Sequence, residues 1–417
     1  MGKAVSPLGA SLMALWWALP ATSQVDPGRA SAYFQEAEAL CRREGGRLWG
    51  MPLWGPMVFA DAATRTIATN QPAPEAERPA AVGLANTAVD WGGTRWTTIV
   101  WQLVPHDQPE ARGRLMLHEL FHRIQPDLGL RVAEGQYDHL DTFEGRYWIQ
   151  LEWRALARAL GANGPKRAAA IRDALSFRMA RRARIPGAAE NERRLEINEG
   201  LAQYTGTVAA FPSPGEAAAD AIDQLARAEK EPTFVRTFAY PSGAAYGLLL
   251  DACSPGWTRR MKPSDDLGHL LREAERLEPA AEAEALAKDY GGPDLIAAER
   301  RREAEQKARI ADLRRRFIEG PVLVLPPPRN ASFVTAGMTP IPGEGTVTLS
   351  FRTTAEWGTL EAGLVLVAPD RSRLTVPAPA KSKGPSLFGE GWTLQIQPGW
   401  VVRPGPRAGD FRLVREE

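Results

Sequence analysis

Histidine and cysteine are the scarce residues of this chain. It has five histidines and two cysteines in 417 residues. Two cysteines exclude a zinc knuckle and a disulfide-rich scaffold. Cys41 and Cys253 either form one bridge from the N-terminal region to the middle of the chain or stay as buried thiols. A charge excess is also missing. The 51 basic and 50 acidic residues nearly cancel, which excludes the basic footprint of a nucleic-acid-binding protein. Beyond the N-terminus no apolar run approaches the ~18 residues that span a bilayer, so no stable membrane span is expected.

The N-terminus carries the one short apolar run. Lys3 precedes "PLGASLMALWWALP" (Pro7 to Pro20), and "ATS" (Ala21 to Ser23) offers small residues where a signal peptidase reads. These features predict a secretory signal peptide cut near Ser23–Gln24 and a secreted or periplasmic protein. An uncleaved anchor is the alternative.

What is present is the composition of a folded protein, 44% hydrophobic and 24% charged. The length predicts two or three domains. After a helix in "RASAYFQEAEALCRREGG", strand-like pieces fill residues 47–105, including "GPMVFAD" with "TRTIATN" as a hairpin. "NTAVDWGGTRWTTIVWQLV" predicts two strands joined across Gly92–Gly93. Residues 107–255 are mostly helical, and a catalytic domain is expected over 24–262. Residues 263–319 are charged helical sequence with interleaved acids and bases, the pattern of a solvated helix. "GPVLVLPPP" predicts a boundary. Strand-like runs between Gly/Pro turns over 329–417 predict a small, sandwich-like all-β domain. The fold class expected is α+β.

The chemistry centres on "LMLHELFHRI" (Leu115 to Ile124). Residues four apart share one helix face, so His118 and His122 can present both imidazoles to one metal ion. Glu119 lies about 100° around the helix, in reach of a water on that ion but not of the ion itself. With three protein ligands, zinc keeps one position open and lowers the pKa of a water there to about 7. Glu119 would be the general base. The alternative is an ordinary helix whose histidines are hydrogen-bonded or exposed. A metzincin would need glycine and histidine at the places held by Gln125 and Leu128, so that subtype is excluded. The remaining histidines are His106, His139 and His269, and a glutamate on a second helix is the expected third ligand.

His118-Glu119-Leu120-Phe121-His122 together with Asn198-Glu199-Gly200-Leu201-Ala202 resembles the gluzincin metallopeptidases, and the aminopeptidase-N-like families within them. The resemblance implies zinc as cofactor and Glu199 of the N-E-G-x-A segment as third ligand. "AYPSGAAYGLLLD" is similar to the Y-x-x-G segment of the same families, which implies that Tyr240 donates a hydrogen bond to the oxyanion. Tyr246 is the alternate donor. The three segments occur in the family's order and cover about a third of the chain; the C-terminal β region lies outside the resemblance.

Two departures matter. The stretch from His122 to Glu199 is far longer than the usual aminopeptidase spacer, which predicts an inserted helical pair, Arg146 to Arg182. It also brings a rival, Glu152, nearer the family spacing, as ligand or as partner to a histidine. Glu192 and Glu196 are weaker rivals. The upstream strands, "GLANTAVDW", lack the glutamate of the aminopeptidase G-x-M-E-N segment, so an endopeptidase is expected over an exopeptidase. Asn86 is the candidate substrate contact on an edge strand, or plain turn chemistry. The expected function is an exported zinc metallopeptidase acting on peptide or protein substrates. The rivals are an inactive zincin-fold binding protein and an interaction protein whose β domain does the work.

Overall fold

The computed structural model describes residues 24–61 and 64–416. The expected signal peptide, residues 1–23, lies outside them. The chain is α+β and divides between Gly292 and Pro293 into two compact units.

The first unit opens with α1 (Pro27–Glu44), which Asp26 caps by accepting Arg29 N–H at 2.8 Å. Gly45, left-handed at φ 62°, ends it. Strands β1 (Met57–Ala60), β2 (Ile67–Thr69), β3 (Thr87–Trp91) and β4 (Thr94–Val100) form a sheet in the order β2-β1-β4-β3. The expected hairpins are β1–β2 and β3–β4. β1 and β4 pair in parallel at the centre, and every residue of β1 is buried. That leaves β3 with a free edge.

Helices α2 (Pro109–Ile124), α3 (Phe143–Leu160), α4 (Gly164–Arg184) and α5 (Ala188–Leu195) follow. α3 and α4 pack together as the expected helical pair. The helical run that begins at Ala188 is interrupted. Glu196–Gly200 form a π-turn between α5 and α6 (Leu201–Ala210). Then come α7 (Pro214–Ala228), α8 (Ala239–Cys253), α9 (Leu267–Glu275) and α10 (Ala283–Ala287). α8 is apolar on nearly all sides and is buried accordingly. The domain edge expected at 262 falls inside this unit, because α9 packs on α8 and α4, and α10 on α4.

Cys41 and Cys253 are both free thiols, so the bridge considered from sequence does not form. Burial, with Glu44 adding to it, pushes the Cys41 thiol up to about 12. Cys253 donates to Leu249 O at 3.4 Å.

The second unit begins in α11 (Gly292–Arg314) and continues through β5 (Val322–Leu325), β6 (Ser332–Ile341), β7 (Gly345–Ala355), β8 (Gly358–Val367), β9 (Leu374–Pro377), β10 (Lys381–Lys383), β11 (Ser386–Gly389), β12 (Trp392–Ile396), β13 (Trp400–Pro404) and β14 (Phe411–Arg415). They form one branched sheet instead of two separate ones. β8 pairs with β7 along its length, with β12 at Gly358–Ala362 and with β9 at Leu366–Val367. The sheet closes on a core that includes Leu323, Trp357, Leu360, Val365, Val376 and Leu394. β5, the "VLVL" expected to mark a boundary, is instead a central strand between β9 and β14. Its flanking prolines read as linker, yet a strand buried on both faces needs no alternation. No helix among the described residues is long and apolar enough to cross a membrane.

Candidate metal centre

α2 starts on Pro109 with Glu110 in its first turn, both favourable at a helix N-terminus. Met116, Leu117, Leu120, Phe121 and Ile124 bury one face of it. His118, Glu119 and His122 lie at the margin of that face: His118 and Glu119 are buried, and the His122 side chain is 15% exposed. α2 packs closely on α6, where Gly206 allows the contact: a Cβ there would sit 2.5 Å from Arg114 O.

Glu199 is presented by the π-turn. A π-turn widens the helix and re-aims its side chains, and here it turns Glu199 toward α2. The structure brings three ligand atoms together. His118 Nε2 and His122 Nε2 are 3.1 Å apart, and Glu199 Oε2 lies 3.3 Å and 3.4 Å from them. Donors about 2.0–2.1 Å from an ion at tetrahedral angles are roughly 3.3–3.4 Å from one another. The two edges to Glu199 match this and the edge between the imidazoles, at 3.1 Å, is slightly short of it; His118, His122 and Glu199 could hold a metal ion.

The other imidazole nitrogens are also held. His118 Nδ1 faces Gln203 Oε1 at 3.1 Å, and His122 Nδ1 faces Gln125 Oε1 at 3.0 Å. A carboxamide oxygen only accepts, so each Nδ1 is the donor in its pair, and each Nε2 is the nitrogen that would bind a metal ion once free of its own proton. Each carboxamide is itself oriented. Gln203 donates to Gln224 Oε1 at 2.6 Å. Gln125 donates to the π-turn carbonyls of Ile197 at 3.0 Å and Asn198 at 3.3 Å. Gln125 thus ties one ligand's ring to the backbone that presents another. In the sequence it served only to exclude a subtype, and neither glutamine was recognised as part of the site. Gln125→Ala should lower affinity for a divalent metal by about 10- to 100-fold, measured by competition with a chromophoric chelator.

Electrostatics follow the geometry. Burial works against charge on Glu199, but the hydrogen bonds from His118 and His122 outweigh it and hold the carboxyl well below its usual range. Burial likewise opposes charge on His122, yet Glu199 beside it pushes the imidazole up to about 9 in the metal-free triad. Glu119 shifts the other way: burial raises it, against the pull of His118 and His122. Its Oε1 is 4.0 Å from His118 Nε2. Its Oε2 is buried and has no hydrogen-bond partner among the described residues.

Tyr240 stacks on His118, with centroids 5.5 Å apart and planes 3° apart. Burial and the neighbouring Glu199 raise its hydroxyl, which stays protonated and so can donate. Two glycines place it there. A Cβ on Gly243 would lie 2.2 Å from the Gly200 Cα, so α8 meets the π-turn backbone to backbone. The glycines of "NEG" and "YPSG" are the crossing point that sets Tyr240 beside Glu199. Asn86 lines both cavities that flank the triad, and its Oδ1 accepts Val100 N–H at 2.8 Å.

Glu152 and Tyr246 are not at this site. Glu152 is fully buried and bonded to Arg178, Arg181 and Tyr246, whose hydroxyl donates to it at 2.8 Å. Glu192 binds Arg181 and His139, and Glu196 binds Arg178. Sequence spacing ranked Glu152 next to Glu199; three arginines of α4 claim these carboxylates instead. His106 packs on Tyr33 and Trp101, and His269 is exposed beside Glu273.

No family model, curated protein or solved structure matches the chain. The case for function rests on this geometry.

Proposed function

We propose that the protein is a zinc-dependent metallopeptidase of gluzincin type, an endopeptidase held ready at His118, His122 and Glu199. Its export rests on the N-terminal sequence alone. The observation that carries the reading is the near-tetrahedral edge lengths of the triad combined with the unpartnered Glu119 oxygen beside it. Two imidazoles and one carboxylate suit zinc better than calcium or magnesium, which prefer oxygen ligands throughout. Zinc, when bound, supplies Lewis acidity, acidifying water and polarising a carbonyl.

The chain's own groups supply the rest. Glu119 Oε2 takes the proton of the attacking water and, with its raised pKa, can pass it to the leaving amine. The Tyr240 hydroxyl donates to the oxygen that gains charge. The free edge of β3 receives the substrate as an added strand, with Asn86 at its start. Burial of His118 and Glu119 keeps bulk water from screening these interactions.

The direct test is metal analysis. The purified protein should hold about one zinc per chain, and Glu199→Ala should lose it; no zinc in the freshly purified protein, or full zinc in the variant, would refute the ligand set. Zinc must also displace the proton of His122, whose imidazole is pushed up to about 9. Affinity should therefore fall by up to about tenfold per pH unit as the pH drops below that value.

A further inference from the structure

Two cavities flank the triad, and they differ in chemistry. One, of about 420 Å³, touches Asn86 but no residue of β3 and includes Leu103 and Leu115. The other, of about 290 Å³, runs along Asn86, Thr87 and Ala88 and is walled by Arg95, Arg131 and Glu134. Of the two carboxylates that line it, Glu199 faces His118 and His122. Glu134 is already faced by Arg236, at 3.3 Å. Arg131 has no ion pair or hydrogen bond among the described residues. Arg95 reaches only Asp90, at 3.6 Å, and that carboxylate is 76% exposed. The Arg95 Nε is buried and has no hydrogen-bond partner among the described residues. Further back, burial depresses Arg123, and Arg95 adds to that against the pull of Asp127. The end of the cleft beyond His122 is therefore short of negative charge.

Strand direction assigns this end to one side of the scissile bond. β3 runs from Thr87 to Trp91 and pairs antiparallel with β4. Antiparallel pairing is the more stable mode, so a peptide on the free edge of β3 runs the other way. It passes Ala88 first and Asn86 last. The arginine-walled cavity then receives residues on the N-terminal side of the bond to be cut.

Resting on the peptidase reading, we propose that Arg95 and Arg131 form an acid-selective subsite, so that the protein prefers substrates with aspartate or glutamate just N-terminal of the scissile bond. Two guanidinium groups suit a carboxylate, which can accept paired N–H bonds from either. A lysine there would meet unpaired like charge, so selectivity comes from repulsion as well as attraction.

The test uses the full chain, zinc-loaded, with Glu119→Gln so that peptides bind without turnover. The probes are three mixtures of N-acetylated, C-amidated peptides, uncharged except for glutamate, glutamine or lysine at one central position. Binding is followed by fluorescence anisotropy. The glutamate mixture should bind ~10-fold more tightly than the lysine mixture, the worth of one charged hydrogen bond, and the gap should narrow in high salt. Arg131→Ala with Arg95→Ala should remove the gap, and Arg131→Glu should reverse it. Equal binding of the glutamate and lysine mixtures, a gap unchanged by the arginine variants, or no binding of any mixture overturns the proposal. In parallel, wild-type protein is given the same mixtures and the cut sites are sequenced. Acid-selective binding without cleavage leaves the subsite standing and overturns the peptidase reading. Cleavage without acid preference does the opposite, and a preference for acid after the cut overturns the assigned direction.

Discussion

Glu119→Gln should cut peptide hydrolysis by roughly 10²- to 10⁴-fold, the usual worth of a general base, while leaving the metal content unchanged. The variant keeps the shape of the side chain and removes only its basicity. Glu119 is not one of the three ligand residues, and its nearer oxygen is 4.0 Å from His118 Nε2. The substitution has a second consequence that a purely structural glutamate would not show. Burial raises the Glu119 carboxyl, and its Oε2 has no partner among the described residues. In the metal-free protein it is thus a cost to folding. The variant should melt no lower than wild type, and higher if relief of the buried charge dominates. Loss of activity with equal or greater stability separates a catalytic role from a packing role. Wild-type turnover in the variant, or an activity loss that tracks a fall in melting temperature, would remove Glu119 from the mechanism.

Arg181→Met should destabilise the first unit by about 3–5 kcal/mol, the typical cost of stranding buried partners. Arg181 is fully buried and donates to Glu192 at 2.8 Å and 2.9 Å and to Glu152 at 2.5 Å. It belongs to a network in which Arg178, Arg181 and Arg182 face Glu152, Glu192, Glu196 and Asp266. Removing one guanidinium leaves two carboxylates in a dry interior with too few donors. Combining Arg181→Met with Glu152→Gln should recover part of the loss, because one stranded charge goes with it. The midpoint of urea unfolding, followed by tryptophan fluorescence, measures both.

The same network sets an acid limit. Burial opposes charge on Glu192, but Arg181, His139 and Arg182 outweigh it and hold its carboxyl well below the usual carboxylate range. A depressed carboxyl contributes fully above its unfolded pKa and loses that contribution as the pH falls below it. Stability should therefore decline below about pH 4.5, and less steeply in Arg181→Met.

The network also explains what the long stretch between His122 and Glu199 does. It is more than a spacer. α3 supplies Glu152 and α4 supplies the arginines, and through Arg178 and Glu196 they grip the first residue of the π-turn. Glu199, which faces the histidines, lies three residues on, within the same turn. The helical pair read as an insertion thus braces the element that presents Glu199.

Much of this was legible in the residues themselves. Helical spacing alone puts His118 and His122 on one face with Glu119 offset, because local geometry depends only on the rise and turn of a helix. The hairpin across Gly92–Gly93, the largely helical stretch after it and the α+β class followed from patterns of period two and 3.6. Among several glutamates the N-E-G-x-A resemblance favoured Glu199, and only the tertiary structure gives the physical reason. Glu152, Glu192, Glu196 and Glu199 are all glutamates on helices; three are claimed by α4 arginines, and one faces the histidines. That choice turns on the π-turn at Glu196–Gly200 and the glycine crossing at Gly200 and Gly243. The glycines belong to the two segments that carry the resemblance, but their contact could not be read from either segment, since it depends on helices distant in the chain meeting at backbone distance. The partners of the imidazoles, Gln125 and Gln203, were invisible for the same reason. A glutamine becomes part of a metal site only through what the fold sets opposite it.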